Sequence, residues 1–272
     1  MFSSKSTAPK SFALCHYAVP VFNTPDIKSV FVGNDGVTIK TDKQGLVREL
    51  EYVALPGTVF EVINETEIDG NKILNVKSAQ YNYKSRLFVD SRFIEIVNEI
   101  PIISSLALPD RKYIYDFLDK AIGSVYIWGG NYINGISKML EYYPPKGNIT
   151  AHTKKLWTFE GCDCSGLVYE ATNGYTERNT SRLIYSGDAV NVEGLNAKNI
   201  MAKLKPLDMF VWKGHVIYVY DETTAIQSAL SRGGVVKTPL LETIESLIEK
   251  RIPVNDYDKS DKDRFVVRRW WI

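Results

Sequence analysis

The sequence predicts an α+β protein, a small β-barrel followed by an α+β module. Three observations predict it. Residues 1–108 carry short apolar runs separated by turn residues at fairly even spacing. The stretch "EIPIISSLALPD", with Pro101 and Pro109 near its ends, reads as a linker. Beyond it, segments with helical spacing alternate with strand-like runs. The expected division is therefore 1–108 for the barrel and linker and 109–272 for the second module.

The elements follow in order. "SVFVGNDGVTI" has two apolar runs around Asn34-Asp35-Gly36, a hairpin signal. "GTVFEVINETEIDGNKILNVKSAQ" repeats that pattern around Asp69-Gly70, and "RLFVDSRFIEIV" completes the barrel. In "RKYIYDFLDKAIGS", Ile114, Phe117, Leu118, Ala121 and Ile122 follow helical spacing, and Gly123 ends the helix. "SGLVYEAT" reads as a helix, "MFVW", "HVIYVYD" and "AIQSAL" as strands, "PLLETIESLIEK" as an amphipathic helix and "RFVVRRWWI" as a last strand.

Composition narrows the function classes. With 272 residues, 44% hydrophobic and 24% charged, the chain can bury a sizeable core. A formal net charge of +1 supplies no global field toward nucleic acid or an acidic membrane, so no nucleic-acid partner is expected. No apolar run approaches the roughly 20 residues of a membrane span. The N-terminus has no convincing signal peptide, and a cytoplasmic protein is expected. Three cysteines, Cys15, Cys162 and Cys164, make no disulfide scaffold and fit a reducing compartment or a single functional thiol.

The chemistry concentrates in "EGCDCSGLVYE", Glu160 to Glu170. A zinc site from Cys15, His16, Cys162 and Cys164 is conceivable, but the short Cys-x-Cys spacing argues against it. No metal and no cofactor are expected. Asp163 and Ser165 are helix N-cap types, which puts Cys164 near a helix N-terminus, where a thiolate is favoured. Gly161 and Gly166 permit close approach of another chain. Of the three histidines, His16, His152 and His215, the last follows Gly214 and opens the strand "HVIYVYD", well placed to serve as a base. Gln227, twelve positions on, offers an amide to orient the imidazole.

"DCSGLVY" with "GHVIYVY" and the polar Gln227 resembles the NlpC-like cell-wall peptidases, which are papain-like cysteine peptidases. "YIWGG", Tyr126 to Gly130, resembles that family's tyrosine motif. "LKPLDMFVW" resembles its strand ahead of the histidine, with Leu207 where glycine is usual. "RNTSRLIYSG" resembles the segment after the catalytic helix, with Leu183 for a common glutamine. The resemblance covers Tyr126 to Ile272, and the N-terminal barrel resembles the bacterial SH3-like modules that often precede this domain. A papain-like α+β catalytic domain behind an SH3-like barrel is what this implies.

The resemblance further implies a peptidase for peptidoglycan-derived stem peptides, cutting between γ-D-glutamate and a diamino acid. Carried over, Cys164 is the nucleophile, His215 the base and Gln227 the orienting residue. Tyr126 lies near the developing oxyanion. Asp163, supported by Ser165 and lined by Trp128, holds the free amine of the first alanine. Arg178 and Thr180 face the α-carboxylate of D-glutamate. An amidase or acyltransferase with the same dyad, and a wall-fragment binding module without turnover, are the alternatives. The segment between the tyrosine motif and the cysteine is long compared with relatives, and it contains the helical stretch "GISKMLEYY" and Pro144-Pro145.

Overall fold

The computed structural model describes residues 11–31, 33, 35–81, 84–100, 107–257 and 263–271. The chain runs β1 (Phe12–Leu14), β2 (Val19–Phe22), α1 (Lys28–Phe31), β3 (Leu50–Ala54), β4 (Val59–Ile68), β5 (Asn71–Ser78), β6 (Leu87–Asp90), β7 (Glu95–Val97), α2 (Arg111–Ala121) and β8 (Asn131–Tyr132). It continues with α3 (Lys138–Tyr142), α4 (Ala151–Trp157), β9 (Gly161–Cys162), α5 (Gly166–Ala171), α6 (Thr180–Leu183), β10 (Asp188–Val190), α7 (Ala197–Met201) and β11 (Met209–Trp212). Last come β12 (His215–Val219), β13 (Thr224–Ala229), β14 (Gly234–Pro239), α8 (Leu240–Ile248), β15 (Ile252–Pro253) and β16 (Arg264–Arg269). Two compact units result. The first takes the described residues up to 100 together with 136–158; the second takes 107–135 and 159–271.

The first unit is built on a seven-stranded sheet in the order β3-β2-β6-β5-β4-β1-β7. The Asp69-Gly70 hairpin forms as expected between β4 and β5, with φ of 50° and 75° at its two central residues. Aspartate tolerates that region and glycine enters it freely, which is why this pair suits a tight hairpin. The expected barrel is corrected: β3 and β7 are the ends of the strand order, and among the described residues the sheet does not close on itself.

The hairpin expected around Asn34-Asp35-Gly36 is also corrected, Asn34 itself lying outside the described residues. Ser29, Val30 and Phe31 belong to the short helix α1, and the Asp35 carboxylate accepts from the Val37 and Thr38 backbone N–H groups, each at 3.0 Å. Val30 and Phe31 are both buried although adjacent in sequence, which strand alternation does not allow on one face. Phe31 stacks on Tyr143 at 5.1 Å and meets Trp157 at 5.4 Å. The long segment between the tyrosine motif and the cysteine thus supplies core to the first unit. The Tyr143 hydroxyl donates to buried Asp90 at 2.6 Å, and Trp157 Nε1 donates to the Tyr143 carbonyl at 2.8 Å.

The second unit is built on a sheet in the order β10-β16-β11-β12-β13-β14, with β15 parallel to β16. Met209, Val211, Val216 and Tyr218 share one core with Ile114 and Leu118 of α2 and Leu167 and Val168 of α5. Phe210, Ile217 and Val219 share the other with Ile200 of α7 and Ile244 and Leu247 of α8. Both faces are buried, so "MFVW" and "HVIYVY" read as continuous apolar runs instead of alternating ones. Helix α2 starts where expected, with the Asp110 side chain accepting from Tyr113 N at 2.7 Å. Leu207 holds φ 72°, a conformation that favours glycine, while its side chain is fully buried. The expected linker lies, from 101 to 106, outside the described residues. No described helix is long and apolar enough to cross a membrane.

Candidate active site

The cysteine loop is held by the backbone of residues 125–131 and by the Ser228 side chain. Cys162 in β9 pairs with Asn131 in β8, its N–H donates to the Val125 carbonyl at 3.2 Å, and its carbonyl accepts from Ser228 Oγ at 2.6 Å. Asp163 N donates to the Gly130 carbonyl at 2.9 Å. Gly161 and Gly166 are required here. A Cβ on Gly161, at φ 148°, would stand 2.2 Å from the Val125 carbonyl oxygen, and one on Gly166 would stand 2.1 Å from that of Gly130. The close neighbour these glycines admit is the backbone of the tyrosine motif.

Asp163 and Arg178 face each other. The Asp163 carboxylate accepts from Arg178 Nη1 at 2.9 Å and Nη2 at 2.7 Å, from Gly166 N at 2.8 Å, from Ser165 N at 3.1 Å and from Gly129 N at 3.1 Å. Arg178 also donates from Nε to Asn131 Oδ1 at 2.9 Å, from Nη1 to Ser165 Oγ at 2.9 Å and from Nη2 to the Gly130 carbonyl at 3.2 Å. Arg178 is 2% exposed and Asp163 8% exposed. Two residues expected to meet two separate substrate charges therefore form one internal ion pair that ties the cysteine loop to the tyrosine motif. Ser165 is engaged in the same network. Trp128 is exposed.

The histidine arrives from the β11–β12 hairpin. Trp212 pairs with His215 across the hairpin, and the two rings lie 5.2 Å apart. Thr180, expected to face substrate, accepts from Gly214 N at 3.0 Å and so braces the turn that carries His215. The Gly214 carbonyl oxygen lies 4.0 Å from Cys164 Sγ. His215 Nε2 lies 2.7 Å from Gln227 Oε1. An amide oxygen only accepts, so Nε2 carries the proton and Nδ1 is left with its lone pair.

Electrostatics reverse one expectation. Burial pushes the Cys164 thiol up to about 12, with the Asp163 charge adding to it; N–H groups of Val216 and Ser165 and the Arg178 charge act the other way without prevailing. Helix α5 spans only six residues, and its N-terminal field does not outweigh the loss of water around a sulfur that is 4% exposed. Burial also pushes His215 below 6.5, opposed by the Gln227 bond and the Asp163 charge and reinforced by the Arg251 charge. Both shifts favour the uncharged forms, a thiol and a neutral imidazole.

A cavity of about 850 Å³ opens beside the histidine, and Tyr126, Trp212, Gly214, His215 and Gln227 are in its wall. Cys164 is not part of that wall; Gly214 is, and its carbonyl oxygen lies 4.0 Å from the Cys164 sulfur. Sequence reasoning missed Asn131, Trp212 and Arg251. For Trp212 a signal existed: the two-residue Lys213-Gly214 turn sets it opposite His215.

No family model matches the chain, and no curated protein matches it. Solved structures do. An NlpC/P60 family protein from Bacillus cereus matches with a TM-score of 0.36 at 14% identity, covering 96% of this chain and 64% of its own. The peptidoglycan hydrolase RipB from Mycobacterium tuberculosis matches at 0.34 and 19% identity, over 58% of this chain and 63% of its own. NlpC2 from Trichomonas vaginalis matches at 0.38 and 9% identity, over 98% of this chain and all of its own. The chain thus spans less than two thirds of the first two of these proteins. Scores this low carry no argument about activity, which rests on the site's own chemistry.

Proposed function

We propose that this protein is a cysteine peptidase that hydrolyses peptidoglycan-derived stem peptides at the bond between γ-D-glutamate and a diamino acid. The observation that carries the catalytic part is the His215–Gln227 contact, which fixes the tautomer in which Nδ1 is basic, in a hairpin whose Gly214 carbonyl adjoins Cys164 Sγ. The substrate part rests on the resemblance of the cysteine, histidine and tyrosine motifs to the NlpC-like peptidases. The first unit is read, on the same ground, as the counterpart of their SH3-like module.

In this reading His215 Nδ1 takes the thiol proton as Cys164 Sγ attacks the γ-carbonyl carbon. The negative charge on the carbonyl oxygen is met by the Cys164 backbone N–H and the Tyr126 hydroxyl. The C–N bond breaks as the imidazolium returns its proton to the leaving amine. Water, deprotonated by the same imidazole, then cleaves the thioester and restores the thiol. Gln227 holds the ring throughout; an amide orients it without taking a proton. The Asp163–Arg178 pair holds the loop that carries the nucleophile.

The test is incubation of the full chain with L-Ala-γ-D-Glu-L-Lys and its meso-diaminopimelate counterpart, with products read by mass. Release of L-Ala-D-Glu and the free diamino acid is expected. Transfer of the acyl group to an added amine, with no hydrolysis in its absence, would make the protein an acyltransferase, and intact peptides after prolonged incubation would remove the peptidase assignment.

A further inference from the structure

The candidate thiol and base belong to opposite faces of one sheet. Cys162 and Cys164 lie in the core shared with α2 and α5. His215 alternates along β12 with Ile217 and Val219, which lie in the core shared with α7 and α8. The separation of the pair therefore depends on what ties the cysteine loop to the strands that carry and orient the imidazole. Strand β13 makes such a tie with two adjacent residues, whose side chains leave the strand on opposite faces. Gln227 Oε1 lies 2.7 Å from His215 Nε2, and the Ser228 hydroxyl donates to the Cys162 carbonyl at 2.6 Å. Ser228 is fully buried, and its backbone is set by pairing with Val235 of β14. The Cys162 carbonyl also accepts from Ile127 N, at the longer distance of 3.4 Å.

We infer that Ser228 is a positioning residue, which through the Cys162 carbonyl holds Cys164 Sγ in register with the imidazole that Gln227 orients. The inference rests on the peptidase reading for what that register serves. Cys162 stands two residues before Cys164, so little chain lies between the tie and the sulfur to absorb a shift. Alanine would fill the same site with almost the same volume. What the serine adds is a directional bond from the strand of the orienting amide to the loop of the thiol. Removing it leaves a buried carbonyl with its longer donor alone, which loosens the loop without opening a cavity of any size. Proton transfer and attack depend steeply on such placement, and a displacement of about 1 Å can cost about 100-fold in rate. The adjacency of Gln227 and Ser228 makes one strand the common reference for both members of the dyad.

The test compares the full chain with its Ser228→Ala and Ser228→Thr variants by two readouts. The first is turnover of L-Ala-γ-D-Glu-L-Lys; the second is the rate at which iodoacetamide alkylates Cys164, located by fragmentation of the modified peptide. Ser228→Ala should lower kcat about 10-fold or more while KM stays within about 2-fold, because the loss falls on alignment and not on binding. It should also slow alkylation of Cys164 about 3-fold or more, because the thiol depends on the imidazole for its reactivity. Ser228→Thr keeps the hydroxyl and should stand above the alanine variant in both. A side chain that only fills space would give the reverse order, since threonine adds a methyl group to a fully buried site. That reverse order, a change confined to KM or to the melting temperature, or alkylation of the alanine variant as fast as or faster than wild type would overturn the positioning role. The peptidase reading is judged separately from wild-type turnover. Slower alkylation of the alanine variant with the peptide left intact by wild type would remove that reading and leave the positioning role, and cleavage unmoved by either substitution would do the opposite.

Discussion

Asp163 shows how far a single residue's environment can depart from what its neighbours in sequence suggest. Next to Cys164 it reads as either a helix cap or a substrate anchor. In the fold it caps Ser165 and Gly166, accepts from Gly129 and chelates a guanidinium that arrives fifteen positions later. Removing one partner of such a buried pair costs about 3–5 kcal/mol because the other is left uncompensated. Asp163→Asn should therefore lower the melting temperature and lower kcat/KM by the same factor on free and N-acetylated stem peptides. A loss confined to peptides with a free N-terminal amine would show instead that the carboxylate meets the substrate. His215 gives a second test at this scale. Burial lowers its proton affinity, so the imidazole stays neutral to more acid pH than usual. The acid limb of kcat/KM against pH should lie below pH 6.5, and a limb centred above it would contradict the buried environment of the ring.

At the scale of elements, much was legible. The Asp69-Gly70 turn, the α2 helix with its Asp110 cap, and strands β11 to β13 follow from local residue choice. So does the meeting of His215 with Gln227, since both lie on strands of one antiparallel sheet. Other features depend on distant partners. The stretch 29–39 reads as a hairpin from its two apolar runs around Asn34-Asp35-Gly36, yet Phe31 is claimed by Tyr143 and Trp157, and the Asp35 side chain satisfies the Val37 and Thr38 backbone N–H groups. For the thiol, the helix start that favours ionisation is visible in sequence, and the burial that opposes it is not.

Helix α5 carries a further consequence of burial. Glu170 is 6% exposed, and desolvation raises its carboxyl to about 8, against the Ile133 N–H at 2.8 Å and the Lys120 charge, which lower it. A raised value in the folded state means that the fold binds the proton more tightly than the unfolded chain. The stability this adds is complete below about pH 4.5 and is lost as pH rises through about 8. Glu170→Gln keeps an acceptor for Ile133 and cannot ionise. At pH 8.5 it should be more stable than wild type, by an amount on the order of a few kcal/mol, and the advantage should vanish near pH 4.5. Chemical denaturation at the two pH values measures it, and an advantage that is the same at both would show that Glu170 titrates alike in the folded and the unfolded chain.

At the scale of the whole molecule, the chain leaves the second unit after residue 135, contributes 136–158 to the first, and returns. The sequence marks residues 131–162 only as an insertion, because the contacts that place its central part, such as Tyr143 to Asp90, span 53 positions. A fragment starting at residue 109 would carry Trp157 and Tyr143, 0% and 5% exposed in the full chain, without the Phe31 and Asp90 that cover them. That fragment should aggregate or bind a hydrophobic dye where the full chain does not. A monodisperse fragment with wild-type stability would mean that 136–158 holds its conformation unaided.

The central claim, that Cys164 and His215 act as one catalytic unit, is tested most directly by kcat/KM on L-Ala-γ-D-Glu-L-Lys for four proteins: wild type, Cys164→Ala, His215→Ala and Cys162→Ala. Residues that act as a unit lose nearly the same factor singly as together. Cys164→Ala and His215→Ala should each fall to background. Cys162→Ala, whose thiol is fully buried in β9, should keep most of the activity. Near-wild-type turnover by His215→Ala, or equal loss from both cysteine variants in folded protein, would contradict the account.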